Sequence, residues 1–345
     1  ARLQRGATPL DAALVRAEIE AGLGAPVDVL FPTFDDTPVA AASIGQVHRA
    51  RVGGVPVAVK VRYPGVREAI ATDTHTIERV AGMASLATAV DGRALARELR
   101  ARLLEECDFR REAAWLAAAG RHLRGTDDVA VPTLVADRSC ASVLTTHWVD
   151  GARFEALRAA PAPAREAAGR ALLRFTWTSL LRDGFLHADP HPGNFLFGDR
   201  VTVLDWGCVR RFDAAEVEPL RALLGVVARG ERAAFADALV AAGLVPDVRR
   251  FDVDAAWEMF GWMWAPYTTP RFAFTTEWCR AGARFSGPRY PNQRRQAFPP
   301  AWIWILRVGM GVHALLARLG ATLDARAVLD AALAAPLVPI ADPTE

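Results

Sequence analysis

The chain contains 41 basic residues, and only one of them, Lys60, is a lysine. Arginine therefore fills every ordinary role of a cation, and the retained lysine marks a position that a guanidinium group cannot serve. An ammonium group is a compact point charge on a flexible stem, whereas guanidinium is a wide planar fork. We expect Lys60 to lie buried at the end of a strand, with its charge directed at phosphate oxygens.

Composition limits the classes of protein to which the chain can belong. Its 345 residues are about half apolar and carry a formal net charge of +2. This size fits one large two-lobed domain or two smaller ones, and the charge gives no electrostatic case for nucleic acid as a partner. The cysteines are widely spaced and are expected to be reduced thiols of a cytoplasmic protein. They are Cys107, Cys140, Cys208 and Cys279.

No uninterrupted apolar run approaches the roughly 18 residues of a membrane span. The nearest candidate, residues 302–317, is interrupted by Arg307 and His313. We therefore expect no transmembrane segment and a cytoplasmic location, with peripheral contact on the inner face of the membrane as the alternative.

The hydrophobic pattern predicts an α+β protein with a strand-rich first half and a helical second half. The elements predicted in the first half are a helix at 10–23, two strands around Gly53–Gly54 within 38–61, helices at 66–90 and 94–121, and strands at 129–136 and 142–149.

A hinge is expected at Asp150–Gly151, where the composition changes. A helix is predicted to start at Pro161 and run to Leu181, followed by a hairpin of 194–197 with 201–204 and by helices beyond Asp213. The expected architecture is a protein-kinase-like two-lobed fold, with a small antiparallel-sheet lobe at 1–149 and a large, mainly helical lobe at 150–345.

Three motifs indicate a nucleotide site. Residues 57–60 read V-A-V-K, the pattern of the strand that holds nucleotide in protein kinases. In such enzymes a loop Asp lies near the attacking group and an Asn five positions later holds magnesium, which is the spacing of Asp189 and Asn194. Asp205 then begins D-W-G after a strand, in the place of the D-F-G whose Asp bridges magnesium to the phosphates. Oxygen ligands of these kinds suit Mg²⁺.

Each motif alone has a simpler interpretation. V-A-V-K is a common strand ending, and D-W-G could be a turn after a strand. His187 and His191 on either side of Asp189 could hold zinc, although they lack the usual helical or C-x-x-C scaffold. Together and in the kinase order, the motifs predict a site for ATP or ADP with Mg²⁺.

Further segments resemble the UbiB/AarF family of atypical kinases. Residues 40–48 (A-A-A-S-I-G-Q-V-H) resemble its alanine-rich loop, which replaces the glycine-rich loop of ordinary kinases. Residues 106–113 resemble its E-x-D stretch, and residues 187–194 match its H-x-D-x-H-P-G-N loop. The resemblance covers residues 3–215 and is weaker beyond them.

The resemblance implies a role for each matched residue. Lys60 would position the α- and β-phosphates, and Glu112 would be the helix glutamate that pairs with Lys60. Asp189 would act as base or orient the nucleophile. The implied catalytic residues are Asp189, Lys60 and Glu112; the implied cofactor contacts are Ala40, Ala41, Ala42, Ser43, Lys60, Glu106 and Asp108; the implied metal ligands are Asn194 and Asp205.

Helical geometry and residue type refine these roles. Asp108 and Glu112 are four positions apart and would share a face of one helix. The simpler interpretation of Glu106 and Asp108 is a solvated face of a charged helix. Alanine restricts the dihedral angles more than glycine does, so the loop should be a stiffer lid. Ser43 is a candidate to bind phosphate or a neighbouring acid, with a turn serine as the alternative.

Three features depart from the family pattern. The family's K-x-G-Q motif lies on an N-terminal extension and is absent from the printed sequence, so we expect either a piece of a longer chain or a lost extension. His147 stands in the hinge segment, where the family usually has a glutamate. No A-P-E signature follows Asp205, which weakens the case for protein phosphorylation.

The last third of the chain holds six of the ten tryptophans, interleaved with arginines. They could form a surface for anionic lipid headgroups, but packing of the helical lobe is the favoured interpretation. The family's link to isoprenoid lipids and quinone biosynthesis supports the lipid alternative by analogy only. The tryptophans are Trp257, Trp262, Trp264, Trp278, Trp302 and Trp304.

Three functions compete. The first is an atypical kinase-like ATPase or phosphotransferase that binds ATP with Mg²⁺ and is linked to isoprenoid lipid or quinone metabolism. The second is a small-molecule phosphotransferase of the aminoglycoside or choline kinase kind, which shares the H-x-D-x-H-P-G-N loop but not the alanine-rich loop. The third is a pseudokinase that binds nucleotide or lipid without turnover. The intact set of four motif residues favours the first over the third.

Overall fold

The computed structural model describes residues 10–42, 44–70, 72, 104–245, 247–287, 289–293, 295–296 and 299–344. The described strands are β1 (Thr33–Phe34), β2 (Ala40–Ala41), β3 (Gly45–Val52), β4 (Val55–Arg62), β5 (Val129–Ala130), β6 (Val143–His147), β7 (Phe185–His187), β8 (Phe195–Phe197), β9 (Val201–Val203), β10 (Val209–Arg211), β11 (Phe272–Ala273) and β12 (Thr322–Leu323).

The helices of the described part are numbered in the same way. They are α1 (Ala12–Leu23), α2 (Val27–Leu30), α3 (Phe109–His122), α4 (Phe154–Arg158), α5 (Ala162–Leu181), α6 (Ala214–Arg229), α7 (Phe235–Ala241), α8 (Val253–Thr268), α9 (Thr276–Ala281), α10 (Pro300–Leu319) and α11 (Ala325–Ala334).

An antiparallel sheet forms the core of the first half, in the order β1-β3-β4-β6, with β2 pairing β3. Gly53 and Gly54 both have positive φ angles, 55° and 80°, which only glycine adopts at little cost, so the predicted hairpin is confirmed. Side chains alternate along β4: Val57, Val59 and Val61 are buried beneath α1, and Lys60 projects from the opposite face. The sheet therefore directs Lys60 away from its own core.

The helix that follows is shorter than the sequence pattern predicts. Residues 104–106 are helical, but the helix is interrupted at Cys107 and Asp108, and α3 begins at Phe109. The Asp108 side chain accepts a hydrogen bond from the backbone N–H of Arg110 and caps α3. The continuous helix predicted for 94–121 is therefore wrong at this point. Most of the helix predicted for 66–90, and the start of the one at 94–121, lie outside the described residues.

One strand prediction also needs correction. Of the predicted strand at 129–136, only β5 is a regular strand, and it pairs in parallel with β9 rather than joining the first sheet. Residues 133–135 run beside β6 through isolated backbone hydrogen bonds, among them Val135 N–H to the carbonyl of Thr145. The strand predicted at 142–149 is present as β6.

The second half is built around α5, which is buried along most of its length and contacts α10, α11 and β7. The predicted start at Pro161 is confirmed by its N-cap position, and the predicted hairpin is confirmed as β8 and β9. Trp264 and Trp302 lie in the core of this half, and the other four C-terminal tryptophans pack against it. The packing interpretation of these rings is therefore confirmed.

The core of the second half continues into the first. Trp115 and Leu116 of α3 belong to the same buried cluster as the residues of α5. The chain passes from β6 to α4 through residues 148–153, which include the expected hinge. The domain division at residue 149 stays a prediction.

One helix of the described residues, Ala301–Leu319 within α10, is long and apolar enough to cross a membrane. The criterion uses length and composition only, and the core helix of a soluble protein also meets it. Trp302, Val308 and Leu316 on this helix are buried against the rest of the chain. The expected lack of a transmembrane segment stays a prediction.

Candidate functional site

Lys60 lies between two carboxylates at the boundary of the two halves. Its Nζ donates to both oxygens of Glu112, at 3.0 Å and 2.8 Å, and to Oδ2 of Asp205 at 3.0 Å. The ring of Phe109 lies 5.0 Å from Nζ. The Lys60 side chain is 13% exposed and that of Glu112 is 4% exposed, so this ion pair is almost fully removed from water.

Charge and burial shift the pKa values of all three groups. Burial alone would lower the pKa of Lys60, but the charges of Asp205 and Glu112 outweigh it and raise that pKa above its ordinary value. Burial, assisted by the charge of Asp205, raises the pKa of Glu112 to about 7 in spite of Lys60. Burial would also raise the pKa of Asp205, yet Lys60 and the N–H of Gly207 bring it below its ordinary value.

Glu112 also ties α3 to the D-W-G segment. The backbone N–H of Trp206 donates to Oε1 of Glu112 at 3.4 Å. The N–H of Gly207 donates to Oδ1 of Asp205 at 3.0 Å and holds that carboxylate in place. Trp206 is buried, and its indole N–H donates to the carbonyl of Val203. One lysine and one glutamate of the first half therefore hold a short segment of the second half.

The loop between β7 and β8 brings Asp189 and Asn194 together. The side-chain amide of Asn194 donates to Oδ2 of Asp189 at 2.7 Å and to its backbone carbonyl at 3.2 Å. The amide nitrogen of Asn194 faces Asp189, and the amide oxygen is the acceptor atom of this side chain that suits a cation. Asp189 is 43% exposed, which leaves its carboxylate accessible from the cleft.

His187 connects this loop to the D-W-G segment. Its Nε2 donates to the backbone carbonyl of Asp205 at 2.5 Å, and its ring packs edge-on to Trp206. Burial lowers the pKa of His187, so the ring is neutral with its proton on Nε2. In this structure the ring of His187 therefore holds the backbone carbonyl of Asp205.

The alanine-rich segment forms a tight hairpin over the end of the sheet. Ala40 and Ala41 pair with Val47 and Gln46 as strand β2, and the N–H of Ala42 donates to the carbonyl of Gly45 at 2.8 Å. A Cβ at Gly45 would lie 2.3 Å from the carbonyl oxygen of Val61, so only glycine fits there. Ser43 lies outside the described residues.

The structure separates the two residues of the acidic pair. Burial raises the pKa of Glu106. The negative charges of Asp205 and Asp189 raise this pKa further, and the positive charge of Lys60 lowers it, so this carboxyl is close to the charged groups of the cleft. Asp108 instead binds the guanidinium of Arg110 at 2.6 Å, which lowers its pKa. Because Asp108 precedes the first turn of α3, it does not share a helix face with Glu112, and that expectation is wrong. Asp108 is not brought to the site.

The sequence motifs missed one side chain of the cleft. Arg307 of α10 lies with Nη2 3.8 Å from Oδ1 of Asp189, and its guanidinium stacks 5.3 Å from the ring centroid of Trp304. In the sequence, Arg307 is noted only as a charge that interrupts an apolar run. That interruption was the available signal, because a charge retained on an apolar helix usually has a partner.

The donor set fits a divalent cation. Carboxylates of Asp205, Asp189 and Glu106 and the amide oxygen of Asn194 are hard ligands of the kind that Mg²⁺ takes. Burial is the main cause of the raised pKa of Glu106, and the negative charges of Asp205 and Asp189 add to it. Within the described residues, no three His, Cys, Asp or Glu side chains form a ready-made metal cluster. Mg²⁺ is commonly held by one or two carboxylates together with waters and substrate phosphates, so this donor set suits a cation that binds with a nucleotide.

Comparisons with known proteins agree on one family. The family model of the ABC1 atypical kinase-like domain matches residues 2–239. An uncharacterized chloroplastic aarF-domain-containing protein kinase of Arabidopsis thaliana is 36% identical over 220 residues, which are 61% of this chain and 30% of the relative. The chain thus spans less than a third of that curated relative.

A solved structure agrees along nearly the whole chain. The Mycobacterium tuberculosis protein Rv3197, in its complex with erythromycin, superimposes with a TM-score of 0.80 at 29% identity, over 97% of this chain and 85% of Rv3197. Both chains share the kinase-like architecture of an antiparallel sheet followed by a helical lobe, and such a domain implies nucleotide binding. The chain belongs to the ABC1 atypical kinase-like family, also called UbiB/AarF.

Proposed function

We propose that this chain binds ATP with Mg²⁺ and acts as an atypical kinase-like ATPase or phosphotransferase. The observation that carries the proposal is the position of Lys60, held by Glu112 and Asp205 at 2.8–3.0 Å beside the Asp189–Asn194 pair. A lysine restrained in this way presents its charge to phosphate at a fixed place, and positioning with charge stabilisation is most of what phosphoryl transfer needs.

The described residues divide the work. Glu112 holds the ammonium group of Lys60 for the α- and β-phosphates, and Asp205 and Asn194 supply oxygens for the cation. Asp189 accepts the proton of the attacking hydroxyl or water, or orients that nucleophile, with its carboxylate fixed by the amide of Asn194. Bound Mg²⁺ would neutralise charge on the transferring phosphoryl group.

The acceptor is the finer part of the proposal. We propose a link to isoprenoid lipid or quinone metabolism, supported by the family and by an apolar α10 whose Arg307 reaches the cleft. A small-molecule phosphotransferase and a pseudokinase without turnover are the competing functions. The ion pair of Lys60 and the ordered Asp189–Asn194 pair favour turnover over the pseudokinase.

A second candidate comes from the structural relative. Rv3197 binds erythromycin, and its fold matches this chain over nearly all of its length. We propose macrolide binding as an activity to test beside nucleotide binding. A rise in the melting temperature with erythromycin would support it, and an unchanged melting temperature at saturating erythromycin would remove it.

The decisive experiment measures Mg²⁺-dependent ATP hydrolysis by the purified chain, with and without liposomes that contain anionic lipid. Asp205→Asn should abolish turnover and weaken Mg²⁺-dependent nucleotide binding. Asp213→Asn is the matched control, since Asp213 caps α6 and asparagine caps a helix as well as aspartate. Turnover that rises with lipid would support the lipid link.

Two results would count against parts of the proposal. Nucleotide binding without turnover would favour the pseudokinase. Mg²⁺-dependent binding that survives in Asp205→Asn would show that the assignment of Asp205 is wrong.

A further inference from the structure

A second recess lies in the helical half, away from Lys60 and Asp205. It is enclosed by α5, α8 and α10, and its cavity volume is about 20 Å³. This cavity holds one water-sized group, so a larger ligand has to displace side chains of the wall. Its wall is mainly aromatic and thioether and includes Trp177, Trp264, Trp302, Met263, Met310 and His313.

Two buried polar atoms of this wall have no hydrogen-bond partner in the described part of the chain. Within the described residues, nothing hydrogen-bonds to the indole Nε1 of Trp264 or to Nδ1 of His313. Trp264 is 5% exposed and His313 is 3% exposed, so bulk water does not serve these atoms. Buried polar groups are nearly always paired, and an unpaired one costs free energy. Both atoms therefore require a partner that the described chain does not supply.

The hydrogen-bond chain behind His313 shows which kind of partner is needed. The indole N–H of Trp177 donates to the hydroxyl of Tyr267 at 2.8 Å, and that hydroxyl lies 2.8 Å from Nε2 of His313. If Nε2 carried the proton, the Tyr267 hydrogen and the Nδ1 lone pair would both be unpaired. If Tyr267 donates to Nε2, only the Nδ1–H of His313 is left without a partner.

His313 is therefore a neutral ring that carries its proton on Nδ1. Burial lowers the pKa of His313 to about 3, which agrees with the neutral state. Because an indole nitrogen can only donate, the two unpartnered atoms are both donors. A water molecule would accept from them but would need acceptors for its own two hydrogens. The side chains of the recess offer only the weakly accepting sulfurs of Met263 and Met310.

We propose that this recess binds a small neutral molecule that carries an acceptor oxygen, such as a ketone carbonyl, on a compact apolar body. The oxygen occupies the 20 Å³ cavity and accepts from Trp264 and His313, and the apolar body lies against Trp302 and Met310. Methionine side chains adjust readily to a ligand's shape, so the wall can widen around the body. Nothing in this site requires the nucleotide chemistry of the cleft.

A matched pair of probe compounds tests the donors. Acetophenone and α-methylstyrene have nearly the same shape, but only acetophenone has a carbonyl oxygen. Dissociation constants for the purified chain can be measured by saturation-transfer NMR titration. We expect acetophenone to bind about tenfold more tightly or better, because only this probe pairs the two buried donors. An apolar recess without a role for the donors would instead favour the more apolar α-methylstyrene.

A matched pair of variants tests the place. A Cβ at Gly309, which lines the recess, would meet no atom of the described residues within 4 Å, so a larger side chain can begin there, and Gly309→Leu should occupy the recess. Gly261 of α8 is also helical, exposed and free of neighbours within 4 Å, but it lies off the recess. Gly309→Leu should abolish acetophenone binding, and Gly261→Leu should leave it unchanged.

Trp264→Phe keeps an aromatic wall and removes one donor, so it should reduce the preference for acetophenone severalfold even if Gly309→Leu does not fold. Equal affinities of the two probes, or tighter binding of α-methylstyrene, would overturn the proposal. Failure of both probes to bind would also overturn the proposal, because a buried water would then be the only partner left for the two donors.

Discussion

Glu112 is a buried carboxyl whose charge state is set by its surroundings. Its pKa is about 7 instead of 4.5, so between these values the folded state binds a proton that the unfolded state has released. The contribution of this group to stability is therefore complete below pH 4.5 and is lost as the pH rises through 7. The pKa of Lys60 is raised and that of Asp205 is lowered, so both titrate outside this range.

Glu112→Gln should change the pH dependence of stability. The free energy of unfolding of the wild type, relative to that of the variant, should fall by on the order of 2 kcal/mol between pH 4.5 and 7. Urea unfolding at a series of pH values measures the difference. Parallel profiles would show that Glu112 is ionised throughout, with Lys60 dominating its charge state.

Replacement of Lys60 by arginine, the basic residue at every other position of the chain, should impair catalysis. Guanidinium is too wide to lie between Glu112 and Asp205 at about 3 Å from each, so Lys60→Arg should lower ATP turnover by about a hundredfold or more. The reverse change at the exposed Arg51 of β3, Arg51→Lys, is the control and should leave turnover unchanged. Comparable turnover in both variants would mean that Lys60 supplies only charge.

The start of α3 decides which acidic residue reaches the cleft. Phe109 is fully buried and fixes the first turn of the helix, so Asp108 becomes its N-cap and Glu106 stays on the cleft side of the break. In the sequence, Glu106 and Asp108 are two nearby acidic residues, and nothing in the pattern separates their roles. Their different roles depend on the burial of Phe109, which a pattern of charges does not reveal.

Asp108 should therefore behave as a structural residue. Asp108→Ala should lower the free energy of unfolding by about 1 kcal/mol, and Asp108→Asn should change it little, because asparagine also caps helices. Nucleotide affinity should be nearly the same in both variants. A large loss of affinity in Asp108→Asn, with stability retained, would restore the nucleotide contact that the family resemblance implies.

Helix α10 has two opposite faces with different neighbours. Trp302, Gly309 and His313 line the recess, whereas Arg307 and Gly311 face the loop of Asp189. A Cβ at Gly311 would lie 2.4 Å from Cγ of Pro190, so the helix approaches that loop as closely as glycine permits. A shift of α10 would therefore change both the recess and the position of the Asp189 loop.

Two substitutions on α10 should change stability in opposite directions. Gly311→Ala must displace Pro190 or the helix and should lower the free energy of unfolding by about 1–3 kcal/mol, with lower turnover because Asp189 moves. Gly309→Ala meets no neighbour and should raise it by up to about 1 kcal/mol through helix propensity. Thermal or urea unfolding of the two variants distinguishes them. Equal effects would show that the contact with Pro190 relaxes freely.

At the scale of the whole molecule, a few charged groups link the two halves across the cleft, in addition to the hydrophobic cluster that the halves share. Lys60 and Glu112 come from the first half, and Asp205 and the N–H of Trp206 come from the second. The cleft is thus closed at its inner end by one ion-pair network. Binding of a cation at Asp205 would compete with Lys60 for the same carboxylate, so ligand binding and the relation of the halves are linked.

Sequence patterns predicted the parts of this site that lie within short contiguous motifs. The spacing of Asp189 and Asn194 is local, so the loop could be predicted without knowledge of the fold. Arg307 and Gly311 lie far from the loop of Asp189 and Pro190 in the sequence. The contacts of α10 with this loop depend on how the helix packs, which no motif encodes. The parallel pairing of β5 with β9 was missed for the same reason, because two residues of strand carry too weak a pattern.

The solitary lysine has a consequence for the life of the protein in a cell. Within these 345 residues, attachment of acetyl groups or of ubiquitin-like modifiers to a lysine side chain is possible only at Lys60. In the folded state its amine is held by Glu112 and Asp205 and is kept protonated, so it is a poor nucleophile. Modification of Lys60 would therefore indicate that this part of the chain has unfolded, because the intact cleft shields the amine.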